Sequence, residues 1–578
     1  MRIVTVRRLS QVLFFAAFIW FCIVTTQGTE WWQLRGWPVN IFLRLDPLVA
    51  IGTALSTHTL YAPLLWALLT VILTIIFGRF FCGWLCPFGS LHQFAGFLGN
   101  RKKSVAKRVQ LNKYRKAQCI KYFVLIFFLV SAAVPVAGWA SLQNGLLDPI
   151  PLVTRSINLT LLPIVDSITG TISATPRFHE GAYLVLAVFF ASIFLNLLIP
   201  RFYCRFICPL GALFAILSRF AIWRIGKNVS ECSNCRLCES ACEGGCEPAS
   251  QIRISECVLC FNCLDGCRDD VISYQMVPSL AGEVTNPDIS RRGFVLSLVS
   301  GVFAVPAVRL AGKLASNWPH KLIRPPGALS EDQFLKRCIK CGQCMRICPT
   351  NVLQPAGMEM GLEALWTPVL NNRIGTSGCQ LNCTACGYIC PTSAIRPITL
   401  SEKMGLGEFA EAGPIRIGTA FVDRSRCLPW AMDKPCIVCQ ENCPVSPKAI
   451  YTEEVFNTVR DGILTVKKIS VNTIETVEKI MQPGKFATGD YYCAAGDVQR
   501  AKIISNTENS IEIAQNAINV ETFSKGSKIE VQVRLQRPHV DIEKCIGCGV
   551  CEHECPISGK RAIRVSAEGE TRSDDRRI

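Results

Sequence analysis

Apolar and polar positions alternate in blocks along this chain. Five runs approach the roughly 20 apolar residues that a helix needs to cross a hydrocarbon layer: Leu9 to Thr26, Leu60 to Phe77, Tyr122 to Trp139, Tyr183 to Ile199 and Phe294 to Leu310. Several are a little short, so buried core helices are the alternative. Between Ala449 and Gln536 the pattern changes. Strict alternation such as Lys528-Ile529-Glu530-Val531-Gln532-Val533 predicts strands there.

Charge orients the apolar runs. Arg2, Arg7 and Arg8 precede the first, and eight basic residues lie between Arg101 and Lys116, while no acidic residue occurs between Asp46 and Asp148. The positive-inside bias puts the amino terminus and that basic loop on the cytoplasmic side of a bacterial inner membrane. Alternation then places Cys82, Cys86, Cys204, Cys208 and the region after Arg224 inside, with Lys313 to Ile578 outside. The net charge of +17 is thus drawn by a lipid bilayer and speaks against nucleic acid as a partner.

The chain has 32 cysteines in 578 residues, which leaves disulfides or metal. Cys232, Cys235, Cys238 and Cys242 are followed by Cys257, Cys260, Cys263 and Cys267, the spacing of a two-cluster bacterial ferredoxin. Three thiolates from a tight loop hold one cubane and the fourth comes from the other motif. Cys267 therefore completes the first site and Cys242 the second, with Cys246 a competitor for Cys242. A second pair joins Cys338, Cys341, Cys344, Cys348 to Cys379, Cys383, Cys386, Cys390. A third joins Cys427, Cys436, Cys439, Cys443 to Cys545, Cys548, Cys551, Cys555, and the long first gap makes Cys427 its weakest ligand. Zinc ribbons and disulfides do not explain six repeats of a three-plus-one pattern, four of them with proline behind the last cysteine. Six [4Fe–4S] clusters are expected, two inside and four outside, and no c-type haem, since Cys-x-x-Cys-His is absent.

Ser290-Arg291-Arg292-Gly293-Phe294-Val295 ahead of the fifth run has the form of an internal twin-arginine signal, or of a plain topology anchor. Clusters are assembled where thiols stay reduced, so an outer domain should load in the cytoplasm and cross folded through the twin-arginine export machinery. Cleavage after the fifth run is left open.

The apolar part is a repeat. Leu45-Asp46-Pro47, His58 and Arg79-Phe80-Phe81-Cys82-x3-Cys86-Pro87-Phe88-Gly89 return as Leu147-Asp148-Pro149, His179 and Arg201-Phe202-Tyr203-Cys204-x3-Cys208-Pro209-Leu210-Gly211. Both copies run in the same sense, implying a parallel pseudo-twofold in a four-helix bundle. Cys82, Cys86, Cys204 and Cys208 are candidates for one additional metal centre, or are structural or redox-active thiols. Asp46, His58, Asp148 and His179 lie toward the outer ends, where a quinol pocket needs titratable groups to release protons. Helix starts with surface histidines, or ligands to a b-type haem, are the other readings.

With these motifs placed, the chain resembles two proteins joined end to end. The first span through Cys267 resembles the ferredoxin-type membrane subunit NapH, with a NosR-like membrane module, on the doubled Cys-x3-Cys-Pro motif. From Ser290 onward it resembles the four-cluster protein NapG, on Arg324-Pro325-Pro326-Gly327-Ala328 ahead of Cys338-Ile339-Lys340-Cys341-Gly342-Gln343-Cys344. The resemblance implies a possible quinol dehydrogenase that delivers electrons to a periplasmic reductase or cytochrome, with the ferredoxin cysteines as ligands. The alternatives are electron supply for maturation or reactivation of a periplasmic metalloenzyme, a relay from a cytoplasmic donor, and a redox sensor. Fusion fixes a one-to-one ratio of the two parts. The expected architecture is a membrane α-helical bundle of four spans plus a fifth, with α+β bacterial-ferredoxin-like domains. Its boundaries are 1–228 for the bundle, 229–275 for the inner ferredoxin, 276–325 for signal, span and linker, and 326–578 for the outer domain. Residues about 449–536 are an insertion suited to docking, and Cys493 within it is inert.

Overall fold

The computed structural model describes residues 2–27, 37–133, 144–171, 173, 177–227, 232–314, 322–358, 361, 363–479, 482–495, 499–514 and 524–572. They form two compact units, one of residues 1–371 with 382–411, the other of residues 372–381 with 412–578. The stretch 326–578, expected as one domain, is divided between them: its first cysteine pair folds largely with the helices, its last pair with the insertion.

In the first unit, helices form where the sequence is apolar but differ in length from the expected spans. Ile3–Thr25 and Lys116–Ala133 are long and apolar enough to cross a membrane, whereas Pro47–Thr57, Ala62–Phe77, Ala182–Leu198 and Pro209–Phe220 are shorter. Local breakers set those lengths. Ala62–Trp66 is a 3-10 turn with Pro63 in its first turn, and Gly78 at φ 85° ends Ala67–Phe77. Residues 134–143, the end of the expected third span, lie outside the described residues. The fifth expected span sits within the helix Arg291–Leu314. That helix lies along Ile120–Ala133, where Ser131 Oγ donates to the Gly301 carbonyl at 3.1 Å. A Cβ on Gly301 would come 2.8 Å from the Phe127 carbonyl, so glycine is what lets the two backbones approach.

The sequence repeat is a repeat of helix starts. Pro47–Thr57 and Pro149–Ser156 begin after Asp46 and Asp148, and Pro87–Asn100 and Pro209–Leu217 begin after Cys86 and Cys208. Each proline occupies a position whose N–H has no helical partner, and it keeps the residue before it out of the helix.

Two cysteine-rich layers bind opposite ends of these helices. The strands Arg224–Lys227 and Ile272–Gln275 pair antiparallel at the base of the 232–267 loops. Those loops meet the first Cys-x3-Cys motif through Trp84 Nε1, which donates to the Leu259 carbonyl at 3.1 Å, and Arg79 Nη1, which donates to that of Ser255 at 2.6 Å. A Cβ on Gly83 would lie only 2.2 Å from the Val258 carbonyl. The 338–390 region is held by Arg155 Nη1 on the Lys340 carbonyl at 3.0 Å, Ser56 Oγ on that of Lys336 at 2.7 Å and Asn40 on that of Ile389 at 2.6 Å. One helix touches both layers. Arg7 donates to Asn262 at 3.2 Å, and Val24 packs with Ile347, Ile389 and the half-buried Cys344 and Cys383. The rise of 1.5 Å per residue puts those two levels roughly 26 Å apart.

The second unit brackets its cysteine loops with antiparallel Thr419–Val422 and Ile563–Ser566. The insertion folds as a closed six-stranded barrel, ordered Tyr491–Ala495, Gln499–Asn506, Ser510–Ile513, Thr473–Thr476, Ile450–Ser470, Lys528–Val540. Alternation explains it: Ile529, Val531, Val533 and Leu535 are all fully buried while Lys528 is exposed. Closure also removes the free sheet edges that such apolar strands would otherwise present.

Candidate functional site

Four of the cysteine loops follow the same backbone path. In each Cys-x2-Cys-x2-Cys loop, the residues just before and just after the middle cysteine have positive φ: Asn234 and Arg236, Leu259 and Phe261, Lys340 and Gly342, Gly547 and Gly549. Left-handed backbone is uncommon outside glycine and costs of order 1–3 kcal/mol when it is strained. Its recurrence at one pair of positions, mostly on non-glycine residues, marks loops shaped to curl three thiols around a common centre. The triplets 379–386 and 427–439 have longer first gaps and lack that flanking pair among the described residues.

In five of the six sets a thiol of the partner motif stands beside the triplet. Cys238 lies within electrostatic reach of Cys267, and Cys242 of Cys257, Cys260 and Cys263. Cys390 stands beside Cys338, Cys341 and Cys344. In the second unit Cys555 joins Cys427 and Cys439, and Cys443 joins Cys545, Cys548 and Cys551. Cys427, reached across the longest gap, is therefore next to Cys436 and Cys555. Cys379 is hydrogen-bonded through its N–H to the Cys548 carbonyl at 2.7 Å. Cys386 Sγ faces the Pro326 carbonyl at 4.0 Å, and Cys348 Sγ lies 3.6 Å from the Thr350 hydroxyl. Such a set of soft thiolates in three-plus-one order fits a [4Fe–4S] cubane. Backbone N–H groups already aim at sulfur, from Ile395 to Cys390 at 3.5 Å and from Ala420 to Cys545 at 3.4 Å. The 232–267 ferredoxin loops have a surplus thiol: Cys246 is within hydrogen-bonding reach of both Cys242 and Cys257.

At the Cys-x3-Cys motifs, Cys86 and Cys208 cap their helices, accepting from Gly89 N at 3.3 Å and Gly211 N at 3.1 Å. Cys86, Cys204 and Cys208 each lie within electrostatic reach of Cys82. Among the described residues no three His, Cys, Asp or Glu side chains converge on a single-ion position. The four thiols are neighbours without being gathered onto one atom.

Asp46 and Asp148 come together. Both are fully buried at helix starts, and their carboxyls lie within hydrogen-bonding reach of each other. Asp46 Oδ1 accepts from Leu48 N at 2.9 Å and Val49 N at 3.4 Å, and the Asp148 carboxyl faces the Ile150 N–H. Two carboxyls in contact need a proton between them, because like charges so close cannot both ionise. The Tyr203 hydroxyl donates next door, to the Leu147 carbonyl. The histidines of the repeat stand differently. His58 is an exposed left-handed helix cap, and His179 is buried beside Arg177 and Arg346. No hydrogen bond or ion pair among the described residues joins either to the carboxyls. Asp-Pro is thus both a helix start and a meeting point, which the pseudo-twofold could have signalled; Tyr203 had no signal beyond its place in the repeat, and Arg155 had none. In the second unit, burial in the barrel pushes the Cys493 thiol up to about 12.

A family model described as a 4Fe-4S binding domain matches residues 59–106 and again 182–228, the Cys-x3-Cys part of each copy of the repeat. A second model of that description matches 335–354 and 538–558. The chain thus carries 4Fe–4S binding domains. No solved structure matches it. It is 26% identical over 294 residues to the ferredoxin-type protein NapH of Escherichia coli, covering 47% of this chain and 88% of NapH. It is 28% identical over 204 residues to the regulatory protein NosR of Stutzerimonas stutzeri, covering 35% of this chain and a quarter (25%) of NosR. To the methylamine utilization ferredoxin-type protein MauM of Methylorubrum extorquens it is 36% identical over 164 residues, covering 27% of this chain and 69% of MauM. On these matches the chain belongs to the ferredoxin-type family of iron–sulfur electron-transfer proteins.

Proposed function

We propose that this chain sits in the bacterial inner membrane, takes electrons from quinol and delivers them to a periplasmic reductase or cytochrome. Six cubanes would be held by Cys232, Cys235, Cys238 and Cys267; Cys257, Cys260, Cys263 and Cys242; Cys338, Cys341, Cys344 and Cys390; Cys379, Cys383, Cys386 and Cys348; Cys427, Cys436, Cys439 and Cys555; Cys545, Cys548, Cys551 and Cys443. When bound, they supply one-electron carriers whose potentials the protein tunes through hydrogen bonds to sulfur and through burial. Cys82, Cys86, Cys204 and Cys208 are proposed to hold a seventh centre.

The observation that carries the reading is one shared core. Cys86, Cys208 and Tyr203 belong to the same buried cluster as Ile339 and Cys341, so the thiols of the repeat and the start of the 338–390 region are not parted by solvent or lipid. A bilayer-thick gap is too long for one efficient transfer. Here the helices are short enough for the outer layer to seat directly on them. Water is excluded between the levels, and the Cys86 and Cys208 thiols are oriented by the N–H groups of Gly89 and Gly211.

Oxidising a quinol releases two electrons and two protons. The Asp46–Asp148 pair is a proton acceptor inside the apolar module, able to hold one proton and pass another, and it lies at the end against which 338–390 docks. The four-span orientation, with residues 1–275 anchored from the cytoplasm and the 326–578 cysteines outside, belongs to the same proposal. Arg291 and Arg292 would supply the export signal.

The test is reduction of the anaerobically purified protein in liposomes by a quinol analogue, followed by electron paramagnetic resonance. Cluster signals should appear within turnover times. Their absence, with dithionite still reducing the clusters, sinks quinol oxidation. A substoichiometric requirement for the protein by an isolated periplasmic enzyme would favour maturation instead.

A further inference from the structure

A cavity of about 400 Å³ lies between the helix Pro87–Asn100, the start of Ile3–Gln27 and the 232–267 loops. Arg8, Arg101, Arg108 and Arg201 line it, together with Glu243 and Asp265. Both carboxylates are already answered: Arg201 pairs with Glu243 at 2.9 Å, and Arg2 meets Asp265 at 3.5 Å. No ion pair among the described residues engages Arg8, Arg101 or Arg108, so the cavity keeps an excess of positive charge.

The opposite wall belongs to the inner ferredoxin. Ser240 and Ala241 lie between Cys238 and Cys242, Asn262 adjoins Cys263, and Gly266 adjoins Cys267. A ligand in the cavity would therefore rest on the loops of both thiol sets.

We propose that this cavity is a binding site for a phosphate-bearing anion. Guanidinium groups match phosphate oxygens with paired, charge-assisted N–H donors, and three of them here have no other counter-charge. The volume falls within the range of small-molecule sites. Two sources carry this chemistry: the head group of an anionic phospholipid, drawn to basic pockets at the cytoplasmic surface, and a soluble pyrophosphate-bearing nucleotide. In either case the bound negative charge opposes adding an electron to the adjoining thiol sets, so occupancy lowers their reduction potential. The site does not depend on quinol being the donor.

The experiment uses the full-length cluster-loaded protein in nanodiscs of phosphatidylcholine alone. One arm adds phosphatidylglycerol to the disc and reads retained lipid by native mass spectrometry; the other adds labelled pyrophosphate or ADP and reads equilibrium dialysis. Both arms record the potential of the inner cluster pair by titration followed by electron paramagnetic resonance. Binding with a lowered potential is expected in at least one arm, weakened at least tenfold in the R101Q/R108Q variant at unchanged iron content. Response to phosphatidylglycerol alone identifies the lipid head group, and response to pyrophosphate or ADP identifies the soluble anion. If R101Q/R108Q loses iron, R8Q takes its place. No binding in either arm, or binding that the arginine variants leave intact, overturns the proposal.

Discussion

The Lys121 ammonium lies 2.5 Å from the Glu256 carboxylate, with both side chains buried and Gln118 Nε2 donating to the same oxygen at 2.9 Å. Glu256 immediately precedes Cys257, so this ion pair fastens the helix Ile120–Ala133 to a cysteine loop. Removing Lys121 leaves the buried Glu256 carboxylate with only Arg79 to answer it, a loss of at most about 3–5 kcal/mol. Lys121→Met should therefore loosen the 232–267 ferredoxin loops and speed their iron loss on warming. K121M/E256Q should lose iron more slowly than K121M, and a double variant no better than the single one would show that the pair does not fasten the loop.

Asp46 and Asp148 offer a cleaner dissection of proton handling. Asparagine keeps the shape and can donate the hydrogen bond that the shared proton now makes. Asp148→Asn should leave folding and iron content unchanged while slowing reduction by a quinol analogue more than tenfold. Asp46→Ala, which also removes the helix cap, should in addition cost about 1 kcal/mol of stability. Unchanged quinol kinetics in D148N would remove the carboxyl pair from the reaction.

Five thiols surround the second site of the 232–267 loops, where a cubane takes four. Cys246→Ser should keep full iron. Cys242→Ser should keep most of it, because Cys246 already reaches Cys257, and C242S/C246S should lose about four irons per chain. Iron and acid-labile sulfide assays distinguish these; equal losses in C246S and C242S would make Cys246 an obligatory ligand.

For the repeat thiols, C82S/C204S should lower iron per chain without disturbing the signals of the ferredoxin loops. Iron unchanged from the parent would leave Cys82, Cys86, Cys204 and Cys208 as structural or redox-active thiols only.

Arg291 opens the helix Arg291–Leu314. Lys at both 291 and 292 keeps the charge but changes the signal, so protease added to spheroplasts should no longer reach the 326–578 region. Normal accessibility would reduce the arginines to a topology anchor.

Much of the site was legible in the sequence because ligand spacing is local. A two-residue gap fixes how a loop curls, and the four regular triplets share one backbone path accordingly. The repeat was legible too, since proline marks the same helix starts twice. What escaped was set by distant partners. The apolar runs were already a little short for spans, but nothing in them announced that Ile339 and Cys341 would enter their core. Asp46 and Asp148 meet only because the two halves of the repeat face each other. The alternation of 449–536 predicts strands, but their number and closure depend on pairings between residues far apart, such as Ile450 with Val540.

That last pairing has a structural consequence. The two longest barrel strands leave the cysteine-rich core side by side, with Ile450 opposite Val540, so the whole barrel enters and leaves the core through one rung of a ladder. Neighbouring strands are about 5 Å apart, a gap that a short hairpin turn can close. The barrel is therefore a graft on a two-stranded stem: its far strands can be trimmed or enlarged while the stem, where Pro538 meets Trp430 and Asn457 meets Asp433, keeps its grip on the thiol loop.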